Sequence, residues 1–253
     1  MFWNDKKGID QELYSAVING DVDKVRKLVR DKDILDLVDD KGMSVVHYAI
    51  KCDEMEILDI LIANGADVNL KDKDGIAPLH LASGLKNVDA VRMLIDANAG
   101  VNDTDNWDFT PLHSAVLNCK DGKHDNTASK EIVKILVENG ADSDAINIMG
   151  HTPLIDAVCA GNYSAIQGFI EAGVYLETKD NDGRTALVYA ISRGDEKAIE
   201  MLIDAGCDVM VKDDEGKVAL RYAKDEKTIQ MVMKAYKKKK HKDEMNFDFD
   251  MEM

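Results

Sequence analysis

Proline is almost missing from this chain, with three residues in 253. Cysteine is nearly as scarce, with four. Cys52, Cys119, Cys159 and Cys207 have no CxxC-type spacing, which excludes a disulfide-stapled miniprotein and argues against a cysteine metal site. No run of about 18 apolar residues occurs, so the sequence offers no membrane-spanning helix and no membrane partner is expected. Positive charge is short too: 32 Lys and Arg against 48 Asp and Glu leave a net charge of -16. Phosphate backbones need a positive field, so nucleic acid is not the expected ligand. The opening residues Met1-Phe2-Trp3-Asn4-Asp5-Lys6-Lys7 are charged at once and lack an apolar signal-peptide core. The expectation is a cytoplasmic protein with reduced thiols. Gly-rich phosphate loops, GxSxG and HExxH are absent, and the motif-level case for an enzyme goes with them.

What the chain does have is 45% apolar residues, enough for a core, and a repeat. Its prolines share one phrase: Ala77-Pro78-Leu79-His80, Thr110-Pro111-Leu112-His113 and Thr152-Pro153-Leu154-Ile155. The intervals are 33 and 42 residues. An alanine recurs in the same phase at Ala16, Ala49, Ala82, Ala115, Ala157, Ala190 and Ala223. A second ladder runs Leu28, Leu61, Leu94, Leu136, Phe169, Leu202. A third is glycine, at Gly42, Gly75, Gly150, Gly183 and Gly216, with Asp108 where a sixth would fall.

One unit shows the local physics. Asp72-Lys73-Asp74-Gly75 is a turn, with Asp first and Gly fourth. Pro78 suits the first turn of a helix, where its missing N–H costs nothing. Thr before Pro, as at Thr110 and Thr152, is a good N-cap. Asn87 caps a second helix whose apolar residues Val88, Val91, Leu94 and Ile95 recur at helical spacing. A left-handed residue then ends it: Gly65, Gly140, Gly173, Gly206, or Asn98 in substitution. These phrases, with Asn64-Gly65-Ala66-Asp67-Val68-Asn69 at the end of one unit, resemble the ankyrin repeat. The resemblance covers residues 10–236 and fits seven units, the first and last reading as caps. It implies an all-α repeat solenoid of stacked helix-turn-helix units with projecting hairpin fingers.

The departures are few. Residues 1–9 read as an N-terminal extension. Asp108 stands in a turn that favours glycine. Nine extra residues, 121–129, fall between the two helices of the fourth unit and read as a solvated loop. Residues 237–253, a lysine run followed by Phe, Asp and Met, read as a disordered tail. The lysine run also has the composition of a nuclear-import signal. His47, His80 and His113 recur every 33 residues, which makes them equivalent structural histidines rather than a metal or catalytic set. No catalytic, cofactor or metal-binding residue is expected.

The resemblance implies a concave surface, formed by fingers and first helices, that binds other proteins. Its variable positions are polar and mostly charged at both ends of the array: Asp40 and Lys41 in the second unit, Asn181, Asp182 and Arg184 in the sixth, Asp214 and Glu215 in the seventh. The apolar ones concentrate between them. The candidate binding residues are Met43, Ile76, Leu85, Asn106, Trp107, Phe109, Leu117, Ile148 and Met149. The expected function is a non-catalytic scaffold or adaptor, monomeric, that binds a partner protein through this patch. The alternative is an acidic chaperone or inhibitor that masks a basic client, motivated by the charge.

Overall fold

The computed structural model describes residues 6–31, 34–117 and 128–251. Helices come in antiparallel pairs: α1 (Lys6–Ile18) with α2 (Val22–Leu28), α3 (Val45–Lys51) with α4 (Met55–Ala63), and α5 (Pro78–Gly84) with α6 (Val88–Asp96). They continue with α7 (Pro111–Val116) and α8 (Ala128–Glu138), α9 (Pro153–Ala160) and α10 (Tyr163–Ala172), and α11 (Ala186–Arg193) and α12 (Glu196–Asp204). A 3-10 turn over Ala219–Tyr222 and the long α13 (Glu226–Met251) close the array. The described residues form no named strand, only the isolated bridges Val38–Ser44 and Lys212–Val218 at two finger bases. This is the all-α repeat solenoid that the sequence implies.

The ladders explain the stack. Ala49, Ala82, Ala115, Ala157 and Ala190 are fully buried, because each lets the first helix of the next unit come close. Leu61, Leu94, Leu136, Phe169 and Leu202 are fully buried between second helices. One core runs continuously from Leu13 in α1 to Val232 in α13. Each unit therefore gains its stability mainly from its neighbours.

Histidines join one unit to the next. The Ser44 amide donates to His47 Nδ1 at 3.1 Å, so that nitrogen is unprotonated and Nε2–H donates to Ile76 O of the next finger at 3.0 Å. His80 does the same between Ala77 N and Phe109 O, and His113 between Thr110 N and His151 O. Burial pushes all three pKa values below the usual histidine value, against the pull of the carbonyls they donate to.

The irregular fourth unit is repaired by both neighbours. Residues 121–127 of the expected loop lie outside the described residues. Ala128 and Ser129 are not loop: they open α8, and Ser129 is buried with its Oγ accepting from Asn162 Nδ2 at 3.0 Å. The first helix here, α7, ends at Val116 and is followed by extended Leu117 instead of a left-handed residue. Its last carbonyls are met from outside. Lys86 Nζ donates to Ala115 O at 2.7 Å, Leu117 O at 2.8 Å and Ser114 O at 3.3 Å. Asn162 Nδ2 donates to Val116 O at 2.9 Å. Lys86 is itself buried and left-handed, with φ 63°, where other units have Gly20, Asp53, Gly161 or Gly194. An ammonium at a helix C-terminus also complements the helix dipole.

The ends differ from expectation. Helix α1 begins at Lys6, ahead of the boundary expected at residue 10. Helix α13 runs to Met251, where a disordered tail was expected from 237. Lys, Glu and Met are good helix formers, and a helix already started by a packed turn extends at little cost.

Three outcomes follow from this architecture. Ser44 has φ -84° and ψ 170°, the extended geometry that a following proline requires and that Ala77, Thr110 and Thr152 share. Val45→Pro should therefore shift unfolding free energy by no more than about 1 kcal/mol, read from urea denaturation. Lys86→Met should lose about 1–3 kcal/mol, because buried carbonyls lose their donor; Lys27→Met, on an exposed lysine, should change almost nothing. The third concerns pH. The folded state keeps its three histidines neutral while the unfolded chain protonates near 6.5, so their contribution is complete above that value and is lost as pH falls below it. The limiting slope is about 1.4 kcal/mol per histidine per pH unit. The pH dependence of the urea midpoint between neutral and mildly acidic buffer should be visibly shallower in His80→Asn than in the parent.

Candidate protein-binding surface

Each finger is a five-residue hairpin whose first residue holds the turn. In the fourth unit Asp105 Oδ1 accepts from the amides of Trp107 at 2.8 Å and Phe109 at 2.9 Å. Asp39, Asp72, Asn147 and Asp180 repeat this arrangement at the same spacings. The fourth finger residue is left-handed throughout, and Asp108 takes φ 60° where the glycines take 75–81°.

Single backbone hydrogen bonds join successive tips. Lys73 N–H donates to Lys41 O at 2.9 Å, Asn106 to Asp74 O at 3.0 Å, Ile148 to Trp107 O at 3.0 Å and Asp214 to Asp182 O at 3.1 Å. Among the described residues the rung from Asn181 to Met149 is missing from this series. The Asn181 side chain instead lies over Gly150.

A side-chain chain replaces that rung. In three of the six fingers the leading Asp accepts from a tyrosine nine residues on: Tyr48 to Asp39 at 2.8 Å, Tyr189 to Asp180 at 2.8 Å, and Tyr222 to Asp213. The fifth unit inverts the pair, and Asn147 Nδ2 donates to Asp156 Oδ2 at 2.8 Å. Burial pushes the Asp156 carboxyl up in pKa, against the pull of His151 and Asn147. His151 Nδ1 lies 2.9 Å from Asp156 Oδ1, and Nε2 lies 3.1 Å from the Tyr189 oxygen. Tyr189 gives its own hydrogen to Asp180, so it accepts from His151 Nε2–H. Burial and the Asp180 bond both push the Tyr189 hydroxyl up. Arg184 sits over the Tyr189 ring and pairs with Asp180 and Asp182. The fifth and sixth fingers are thus locked by polar side chains rather than by backbone.

The nine candidate residues occupy different places in this frame. Asn106, Trp107, Ile148 and Met149 are at the exposed tips of adjacent fingers, with Trp107 45%, Ile148 64% and Met149 56% accessible. Ile76 and Phe109 are half-buried at finger bases, and the Phe109 ring meets His113 edge-on at 5.4 Å. Leu85 is half-buried against the core. Leu117 is exposed at the end of α7. Met43 is a correction: it is buried, at 9% accessibility, because α1 covers the second unit's finger. Tyr14 Oη reaches Met43 O and Leu37 O, both at 2.8 Å, and its ring packs edge-on against Tyr48. Ile146 is exposed as well and was missed by sequence reasoning. Its signal was available in part, since four of the five equivalent positions are polar (Lys71, Thr104, Lys179 and Lys212) and only Val38 is apolar.

The site chemistry is that of contact. No group of three or more His, Cys, Asp or Glu among the described residues could hold a metal ion. A family model described as ankyrin repeats (three copies) matches residues 4–72, 54–143, 123–213 and 169–243. Myotrophin from Xenopus tropicalis is 34% identical over 58 residues, which are 23% of this chain and 49% of myotrophin. The chain thus spans about half the length of that curated relative. The crystal structure of the ankyrin repeat domain of Bcl-3, described as a unique member of the IkappaB protein family, superposes with a TM-score of 0.77. Identity there is 27%, over 88% of this chain and 97% of that one. With the family matched along nearly its whole length and its helix pairs stacked in the same phase, this chain belongs to the ankyrin repeat family.

Proposed function

We propose that the chain is a non-catalytic adaptor that binds a partner protein on its row of fingers, with the fourth and fifth at the centre. Ankyrin repeat proteins are generally protein-interaction modules, which supports the class. The observation that carries the location is Trp107 with Ile148 and Met149. The positions equivalent to Trp107 hold Lys41, Asp74, Met149, Asp182 and Glu215, four of the five charged, so the fold does not require an apolar group there. Three large apolar side chains on adjacent tips, rimmed by charge, have the composition of an interaction hot spot. A second reading, favoured by the net charge of -16, is a chaperone or inhibitor that masks a basic client over the whole acidic surface.

Trp107→Ala separates fold from function. Its exposure means the change should cost well under the ~3–5 kcal/mol of a buried tryptophan, read as a small shift in the denaturation midpoint. Partner affinity, measured by calorimetry on proteins recovered with the parent as bait, should fall by about 2 kcal/mol or more, roughly thirtyfold. Asp40→Ala, on the distant second finger, should do much less. Charge masking predicts the reverse: near-indifference to Trp107 and steep weakening with added salt.

A further inference from the structure

The surroundings of the three apolar tips narrow the partner's chemistry. On the side of the third and fourth fingers, Asp74 and Asp108 are exposed and make no ion pair among the described residues. On the far side Asp214 is exposed and makes no ion pair among the described residues, while Arg184 is held by Asp180 and Asp182 and Lys217 pairs with Glu215. Among the described residues Lys73 is the one exposed lysine or arginine on the third to fifth tips, and carboxylates outnumber it. The patch is therefore apolar at the centre and acidic at both ends.

Backbone groups are open at the same place. The missing rung leaves Met149 O and Asn181 N–H without a backbone partner among the described residues, beside the apolar tips. Elsewhere along the row these two groups bond each other. An extended chain laid across the gap could accept from one and donate to the other. The polar chain through Asp156, His151 and Tyr189 links these two fingers by side chains, so their connection does not depend on the rung.

Resting on the finger row as the contact surface, we infer that its ligand is an extended segment of a partner protein with a large apolar anchor flanked on both sides by lysine or arginine. The anchor packs on Trp107, Ile148 and Met149. The flanking cations face Asp74 and Asp108 at one end and Asp214 at the other, and the segment's backbone uses Met149 O and Asn181 N–H.

Panning a random-peptide display library against the immobilised full chain tests this directly, because the library spans every side-chain chemistry. Enriched sequences should carry a large apolar residue with basic residues on both sides. A synthetic representative should shift the tryptophan emission of the Trp3→Phe protein, in which Trp107 is the one tryptophan left, to shorter wavelength. Its affinity should fall at least about tenfold in Trp107→Ala. Asp108→Gly gives an independent readout: it relieves a left-handed non-glycine residue, so the melting temperature should rise, while peptide affinity drops about two- to fivefold. Enrichment of neutral or acidic sequences that still depend on Trp107 would overturn the inferred chemistry and leave the contact surface standing. Basic peptides that bind Trp107→Ala and Asp108→Gly as well as the parent would overturn both, as would the absence of any enriched sequence.

Discussion

The structure depends on one hydrogen-bonding arrangement, repeated in all six fingers. A single Asp or Asn side-chain oxygen accepts backbone amides across the turn it begins. That fixes the hairpin and forces the fourth residue into the left-handed region. It also fixes where the finger's carbonyls point. The last carbonyl of the turn faces the preceding unit, where a histidine Nε2–H meets it at 3.0–3.1 Å in three places. Successive tips are joined through their backbone, Met149 O and Asn181 N–H excepted, and side chains such as Trp107, Ile148 and Met149 are left exposed. A partner-specific surface can be written on them without touching the core.

Nearest-neighbour coupling explains how the array absorbs its irregularities. In the fourth unit the first helix stops at Val116 with extended Leu117 after it, and two side chains from outside the unit meet its last carbonyls, Lys86 from the unit before and Asn162 from the unit after. The fifth and sixth fingers have lost a backbone rung, and a run of side chains from Asn147 to Asp182 replaces it. In both cases the compensating contacts come from within one unit's distance, and in the fourth unit they satisfy the helix-end carbonyls themselves. Buried carbonyls without donors would each carry a penalty of a few kcal/mol, so such repairs are obligatory rather than decorative.

The fold was legible in the sequence because its determinants repeat in register. Pro78, Pro111 and Pro153 mark helix starts, the alanine ladder marks close contacts, and Gly42 and its equivalents mark turns; each falls in the structure where its phase put it. The tips were legible as the positions that change. What stayed hidden was tertiary. Nothing near Met43 in sequence says that Tyr14, on α1, folds over it. Lys86 reads as an ordinary polar residue, and only the shortened α7 makes its amine a helix cap. The exchange of Asp–Tyr for Asn–Asp was visible in retrospect. Asp39–Tyr48, Asp180–Tyr189 and Asp213–Tyr222 share one spacing, and Asn147–Asp156 repeats it with other chemistry.

The fourth and fifth fingers gather choices that folding alone disfavours. A non-glycine residue at φ 60° carries strain of about 1 kcal/mol, and Asp108 accepts it where five other fingers have glycine. Trp107, Ile148 and Met149 place large apolar surface in water where other tips carry charge. The backbone rung between the fifth and sixth fingers is given up, and a polar side-chain run links the two instead. Any one of these is ordinary drift. Their concentration on adjacent fingers, in an array whose other units follow the local rules, is the pattern expected where sequence is kept for contact rather than for stability. The acidic rim gives that contact its sign, and the preformed fingers mean that a ligand need not order the surface in order to bind it.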